Sequence, residues 1–419
     1  MGGVSQRTIA IIITAVFLPL FALGQQQQQL RDRDPDLEAA KKLANDRQQA
    51  NFHFGPFYLL SRLRLADAGY AQDTGVPTGD QGGISISLEA PQRLFLVANK
   101  KTIFTFEVVP GYSFFTSEDR DNQLNYSARA DAHLLFNHLY LDIYALRADQ
   151  VRAHVADLNR LATTAENETG VSGELKYSSR TSGVFTLRYR DTEYPLDRFQ
   201  PDIIPNSDFN PIELLDREER HARVSLNHKT FPLTSLFVSG EVSNYRFDIG
   251  THRDSRRTWY GLGALIDNGR NQIRVEGGPV RLDFEDAAES DYSGLAGTIR
   301  ATRTRGRWLF SAGAARDLGF SIFANNNYYI ATTANAGIEY AATRKLTLRT
   351  NVAGERDEYD TEVRGNDRTD EITFASVGAL YTVRRLRFGG DVGWYDREST
   401  FGGDTDSGIR YVLHLSFTP

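Results

Sequence analysis

The stretch GIRYVLHLSF, Gly408 to Phe417, lies at the C-terminal end of the chain and alternates between two kinds of side chain. In an extended conformation one face carries apolar and aromatic residues, namely Ile409, Tyr411, Leu413, Leu415 and Phe417. The other face carries Arg410, Val412, His414 and Ser416. A period of two over about ten residues, ending in an aromatic residue, is typical of the strands of outer-membrane barrels.

The N-terminal end of the chain predicts export from the cytoplasm. Arg7 precedes a short apolar run from Ile9 to Leu20, and the small-residue site Ala22-Leu23-Gly24 follows. We therefore expect residues 1–24 to be a signal peptide that is removed before Gln25. Residues 25–53 are expected to be a periplasmic linker with a short helix opened by Asp34-Pro35, a disordered leader being the alternative, and residues 54–419 to form the barrel.

Composition narrows the fold class. The chain is 40% hydrophobic and 24% charged, carries a formal net charge of -6 and contains no cysteine. The absence of cysteine excludes a disulfide framework and a lipidated cysteine. Beyond the signal we find no apolar run of about 18 residues, so a membrane-spanning helix is not expected. A closed barrel needs only alternate residues to be apolar, although a soluble β-sandwich would produce the same alternation.

The connections between the alternating segments favour the barrel. One set is short and basic or turn-forming, with Asn268-Gly269 and Arg305-Gly306 as examples, and the other is longer and acidic, as in Asp149 to Glu166 and Asp191 to Arg220. We predict an all-β, transmembrane, antiparallel up-and-down β-barrel of about 18 strands, with short periplasmic turns and long extracellular loops. A missed hairpin near residues 316–327 would change the count to 16.

If the apolar faces contact lipid, charged and tyrosine side chains line the lumen. Positive and negative charges are nearly balanced, as expected for cross-strand pairs that hold a hydrated wall rigid, and the tyrosines offer a surface for sugar rings. The lumen-lining candidates are Arg129, Asp131, Asp142, Tyr140, Tyr144, Arg188, Arg190, Glu241, Tyr245, Arg274, Glu276, Arg349, Glu355, Arg387, Asp391 and Tyr395.

The chain resembles a known group of proteins in four features. These are the strand that ends at Phe417, the lack of a plug domain, the chain length and the strand-end sequence Arg188-Tyr189-Arg190-Asp191-Thr192-Glu193-Tyr194. The group comprises the outer-membrane β-barrel porin families often encoded beside exopolysaccharide synthesis and export genes. The resemblance implies a passive outer-membrane channel for an exopolysaccharide. A general porin for small solutes and a non-conducting structural or adhesive barrel remain alternatives.

The expected partners follow from that interpretation. They are outer-membrane lipid, the barrel assembly machinery and periplasmic polysaccharide export components, and nucleic acid is not among them. Tyr411, Leu413, Leu415 and Phe417 are the predicted insertion signal, although Thr418-Pro419 follows where many barrels end on the aromatic residue.

Enzymatic and metal chemistry find little support in the sequence. The eight histidines are scattered without a repeated Ser-His-acid grouping, so no catalytic residue is predicted. His133 and His414 are expected to be ordinary wall residues. Asp404 and Asp406 lack the ligand series of a calcium loop, so neither a metal nor a cofactor is expected.

Overall fold

The computed structural model describes residues 39–71, 83–116, 122–155, 160–195, 211–322, 327–359, 368–400 and 405–418. The predicted signal peptide and residues 25–38 of the predicted linker, including the helix start at Asp34-Pro35, lie outside these ranges. One helix, α1 (Ala39–Gln48), precedes a short strand, Phe52–Phe54. The strands of the barrel are β1 (Phe57–Ser61 and Leu63–Ala71), β2 (Gly83–Glu89 and Gln92–Asn99), β3 (Thr102–Phe115), β4 (Gln123–Leu135), β5 (Leu139–Val155), β6 (Arg160–Lys176), β7 (Thr181–Glu193), β8 (Arg217–Phe231), β9 (Thr234–Phe247), β10 (Ser255–Asp267), β11 (Asn271–Phe284), β12 (Tyr292–Arg305), β13 (Trp308–Phe320), β14 (Tyr328–Ala341), β15 (Leu346–Tyr359), β16 (Thr369–Val383), β17 (Leu386–Ser399) and β18 (Thr405–Phe417).

Each strand pairs antiparallel with its sequence neighbours, and β18 pairs with β1 from Phe417 opposite Leu63 to Arg410 opposite Ala71. The described residues thus form a closed barrel of 18 strands, which confirms the predicted fold class and the higher of the two strand counts. Alternation located the strands well because, in a barrel wall, one face of every strand contacts lipid and the other contacts the interior.

The closing seam pairs β18 with the second segment of β1, Leu63–Ala71, and not with Phe57–Ser61. Strand β1 is interrupted at Arg62 and β2 at Ala90-Pro91, since Pro91 has no N–H for the ladder. The Pro91 carbonyl accepts a hydrogen bond from the Arg62 N–H at 3.0 Å, so the two interruptions lie side by side. Below them Phe57–Ser61 pairs with β2, and the short strand Phe52–Phe54 covers its other edge.

The two ends of the barrel carry connections of different length. At the end that holds the C-terminus the connections are two to four residues long, and the predicted turn glycines Gly269 and Gly306 adopt φ angles of 76° and 61°. At the opposite end two connections include short 3-10 helices. Pro211–Leu215 lies between β7 and β8, and Thr251–Arg253 lies between β9 and β10. The prediction of a long loop from Asp149 to Glu166 was wrong. Here β5 and β6 continue as a paired ribbon with Gln150 opposite Thr164, because the alternation persists through a polar sequence.

The outer surface forms a broad apolar belt. Exposed large side chains on it include Val224, Leu262, Leu295, Val377 and Leu413. In water this area would be an aggregation hazard, whereas hydrocarbon solvates it without cost. On β18 the residues Ile409, Tyr411, Leu413, Leu415 and Phe417 all face outward, as the alternation predicts. No helix among the described residues is both long and apolar enough to cross a membrane.

Helix α1 packs inside the barrel near the end that holds the C-terminus. Its Leu43 is buried against Leu60, Phe95 and Ile103, all on the inner face of β1 to β3. Asp46 accepts a hydrogen bond from Arg93 at 2.8 Å, and this ion pair fixes the helix to β2. The helix that the sequence predicts in a periplasmic linker therefore occupies the mouth of the barrel at this end.

Candidate functional site in the barrel lumen

One part of the inner wall, here called the open wall, consists of three ion pairs on the strands that flank the seam. Arg64 pairs with Glu89 and Arg129 with Asp131, with Nε–oxygen distances of 2.6 and 2.7 Å. Arg349 Nε donates to Asp391 Oδ1 at 2.7 Å, and its Nη2 lies 2.6 Å from His414 Nε2.

In each pair of the open wall the guanidinium is more exposed than the carboxylate. The side-chain exposures are 45% against 6% for Arg64 and Glu89, 36% against 5% for Arg129 and Asp131, and 19% against 7% for Arg349 and Asp391. The carboxylates lie against the wall, so the charge that these three pairs present to the lumen is mainly positive.

Tyrosines on β5 connect the open wall to its neighbours. The Tyr144 hydroxyl donates to Glu168 Oε1 at 2.6 Å, and the guanidinium of Arg129 lies 4.1 Å from the Tyr144 ring centroid. The Tyr140 hydroxyl lies 3.0 Å from His133 Nδ1. Asp142 is opposite His133 on the neighbouring strand, so the predicted candidates on β4 and β5 do come together.

A second part of the inner wall, here called the packed wall, comprises Arg188, Arg190, Arg223, Arg257 and Arg274 with their acidic partners on β6 to β9 and β11. Arg190 Nε donates to Glu168 at 2.7 Å, and Arg188 donates to Glu219 at 3.0 Å. Further along, Arg223 donates to Glu276 at 2.5 Å and to Glu241 at 3.3 Å. Glu241 also accepts from Arg257, and the side chains of these two residues are only 2% and 4% exposed.

Against part of the packed wall lies a structure that we call the cap, made of residues 211–215, 251–253 and 317–322, which contacts this wall where Asp317 pairs with Arg257. Strands β12 and β13 are paired only from Arg305 opposite Trp308 to Gly297 opposite Arg316. In contrast, β13 stays paired with β14 as far as Phe320. Residues 317–320 therefore turn from β12 into the interior. Asp317 accepts a hydrogen bond from Arg257 at 2.9 Å, and the Phe320 ring meets those of Tyr245 and Phe247 at 4.8 and 5.0 Å.

Arg253 joins the segments of the cap. Its guanidinium donates to the carbonyl oxygens of Leu214 at 2.9 Å and Asn327 at 3.3 Å, and to that of Ser321. It also lies 4.7 Å from the Phe247 ring centroid. One buried side chain thereby ties three extracellular connections together, which makes the cap a single packed unit.

The 3-10 helix in the cap, Pro211–Leu215, is held by apolar and polar contacts. Ile212 and Leu215 form a buried cluster with Ile322, against which Phe320 packs. Directly after this helix, burial raises the pKa of Asp216 to about 6, although its Oδ1 accepts the Tyr194 N–H at 2.7 Å. The nearby carboxylates of Asp248 and Glu213 also raise this pKa.

The remaining predicted lumen residues lie on inner faces but in different surroundings. Tyr245 is buried beneath the cap, Glu276 is buried in the packed wall, and Glu355 lies on β15 beside the fully buried Asp357. Arg387 is exposed at the periplasmic end, and Tyr395 lies across from Gly408 on β18.

The sequence interpretation missed the cap residues Arg253, Asp317 and Phe320. A signal was present, because the inner-face positions of β11 change from Arg274 and Glu276 to the buried Val280 and Leu282. Apolar residues on the inner face near the extracellular end indicate that something packs over them. Aromatic residues at the extracellular strand ends divide between two environments. Tyr112 and Trp394 face outward, but Phe247 is buried in the interior.

Comparisons with known proteins identify the fold. No protein-family model matches the chain, and no curated protein matches it. Among solved structures, Acinetobacter baumannii OccAB3 is 10% identical with a TM-score of 0.52, covering 87% of this chain and 100% of its own. The Pseudomonas aeruginosa outer-membrane protein OpdK is 12% identical with a TM-score of 0.50, covering 86% of this chain and 99% of its own. Pseudomonas aeruginosa OccK2 in complex with glucuronate is 12% identical with a TM-score of 0.50, covering 86% and 98%.

At this level of identity the likeness shows a common fold, that of outer-membrane porins. The closed barrel and the apolar belt agree with the bacterial outer membrane as the location of this protein. The interior brings together water-compatible charged groups on the open wall and buried charged groups on the packed wall, an arrangement that can attract and orient small charged solutes.

Proposed function

We propose that the protein is a passive outer-membrane channel for small solutes and that it favours anions, small carboxylates above all. The observation that carries this proposal is the unequal exposure within the open wall. Although the ion pairs are formally neutral, Arg64, Arg129 and Arg349 reach the lumen while their carboxylate partners do not.

The physical reason is that the attraction between a fixed charge and a passing ion depends on their separation and on the dielectric constant of the surroundings. A unit charge about 4 Å from an ion is worth about 1 kcal/mol in water, and more where low-dielectric walls limit the solvent. A carboxylate farther from the ion cancels only part of that attraction. Guanidinium groups also present donors in a planar fork that matches a carboxylate.

The solved neighbours support the same substrate class. OccK2 was crystallised with glucuronate, a sugar acid that combines a carboxylate with hydroxyl groups. By analogy a sugar acid is a suitable first solute for this channel, with the hydroxyl groups meeting Tyr140 and Tyr144 beside Arg129.

An exopolysaccharide channel, the first expectation from the sequence, has weaker support. Helix α1 packs inside the barrel at one end and the cap fills part of the interior at the other, and both reduce the space for a polymer. A small-solute porin, the alternative, requires no displacement of either structure.

Planar-bilayer recording with purified, folded protein tests the proposal. Under a KCl gradient we expect steady conductance and a reversal potential that corresponds to anions being more permeant than cations. In proteoliposome swelling, glucuronate should enter faster than glucose, a neutral sugar of similar size. A closed trace would favour the structural or adhesive barrel, and a cation-selective trace would contradict the proposed substrate class.

A further inference from the structure

Three side chains on the inner wall are arranged like metal ligands. Asp131 and His133 lie two residues apart on β4 and therefore share one face, and Asp142 on β5 is directly opposite His133. One donor atom from each lies within 4.8 Å of the other two, and the described residues contain no other such group.

The two carboxylates approach the two nitrogens of the imidazole ring. His133 Nδ1 lies 3.0 Å from the buried Asp142 Oδ1 and 3.0 Å from the Tyr140 hydroxyl. On the other side of the ring, His133 Nε2 lies 3.1 Å from Thr105 Oγ1, and this hydroxyl donates to Asp131 Oδ2 at 2.8 Å. The side chains of Asp131 and His133 are each only 5% exposed, so the backbone and packing fix the group.

We propose that Asp131, His133 and Asp142 form a binding site for a divalent transition-metal ion such as Zn²⁺ on the inner wall of the barrel. One imidazole nitrogen and two carboxylate oxygens are the ligands of many such sites. Tetrahedral zinc with bonds of about 2.0–2.2 Å holds its ligands roughly 3.4 Å apart, so modest side-chain movement closes the group onto the ion.

The surroundings suit such a site. Arg129 Nε donates to Asp131 Oδ1 at 2.7 Å and orients the carboxylate from behind, and Oδ2, which accepts from Thr105 Oγ1 at 2.8 Å, would exchange that hydrogen bond for the metal. With two carboxylates and one guanidinium the group keeps one net negative charge. The imidazole disfavours calcium and magnesium, which prefer oxygen ligands alone.

Calorimetric titration of the purified, chelator-treated protein with Zn²⁺ in detergent tests this site. The measurement does not require the channel to conduct. The wild type should bind Zn²⁺ saturably and Mg²⁺ not at all. His133→Gln and Asp142→Asn should each weaken Zn²⁺ binding by about 10-fold or more. His414→Gln is the matched control, because this second inward histidine also contacts an aspartate and an arginine, and it should leave binding unchanged.

Equal binding by wild type and His133→Gln, or an effect of His414→Gln as large as that of His133→Gln, would overturn the proposal. Zinc-edge X-ray absorption of the wild-type complex gives a second readout if either variant fails to fold. We expect one imidazole and oxygen ligands, and a spectrum without an imidazole contribution also excludes the site. Failure of the channel experiment would leave these results unaffected.

Discussion

The open wall and the packed wall are built from the same residue types but leave their arginines in different environments. Arg64 on the open wall is 45% exposed, whereas Arg223 and Arg257 on the packed wall are 6% and 4% exposed. The strands alternate in the same way in both regions, but the packed-wall arginines share buried carboxylates with one another, and Arg257 also contacts Asp317 of the cap. An ion pair in a barrel can therefore serve either the solute or the stability of the wall, depending on how fully its surroundings bury it.

The largest expected difference between the two walls is in stability. Glu241→Gln removes the carboxylate shared by Arg223 and Arg257 and leaves excess buried positive charge, at a cost of about 3–5 kcal/mol. Arg64→Gln on the open wall should cost less, because lumen water already contacts the 45%-exposed Arg64 side chain and can partly solvate the Glu89 carboxylate that the substitution leaves behind. Urea unfolding in lipid vesicles measures both. Similar losses for the two variants would show that burial does not separate the walls.

A smaller effect is expected on ion selectivity. The double variant Arg64→Gln, Arg349→Gln should lower the anion-to-cation permeability ratio by up to roughly 30-fold, since each removed charge is worth about 1 kcal/mol to an ion about 4 Å away and the two together about 2 kcal/mol. Arg274→Gln on the packed wall is the control and should leave the ratio unchanged in molecules that insert. The effect should shrink as salt is raised. A selectivity change in the control alone would reverse the roles assigned to the two walls.

The smallest expected effect concerns pH and the cap. Burial raises the pKa of Asp216 to about 6 in the folded cap, above the usual carboxyl value of about 3.8. The folded cap therefore binds the proton more tightly than the unfolded segment does, so docking is favoured at low pH and weakens as pH rises from about 4 to about 6. Hydrogen exchange of residues 211–217, corrected for intrinsic rates, should be slower at pH 4 than at pH 7. Asp216→Asn should remove most of this dependence, and unchanged dependence in that variant would contradict the assignment.

The sequence predicts most of the barrel wall because lipid imposes a strict requirement on every second residue. The closing strand Gly408 to Phe417, the turn at Gly269 and the β4 candidates Arg129 and Asp131 all follow from that requirement. The cap does not follow from it, since Phe320 gains its partners only when β13 leaves β12, a tertiary event with no local periodicity. The burial of Arg257, unlike that of Arg64, includes a contact with Asp317 at the point where β13 leaves β12. No local pattern in the sequence indicates that contact.

The seam between β18 and β1 has a consequence for assembly. Leu63 and Phe417 are at opposite ends of the chain, so their pairing carries the largest loop-closure cost in the molecule and belongs to the last steps of folding. Contacts among Leu43, Leu60, Phe95 and Ile103 span a much shorter part of the chain and can form early. Helix α1 would then stabilise β1 to β3 as a template with a free edge, while Phe52–Phe54 occupies the part of that edge that β18 never reaches. An incomplete chain is in this way left with less unpaired backbone to join another molecule.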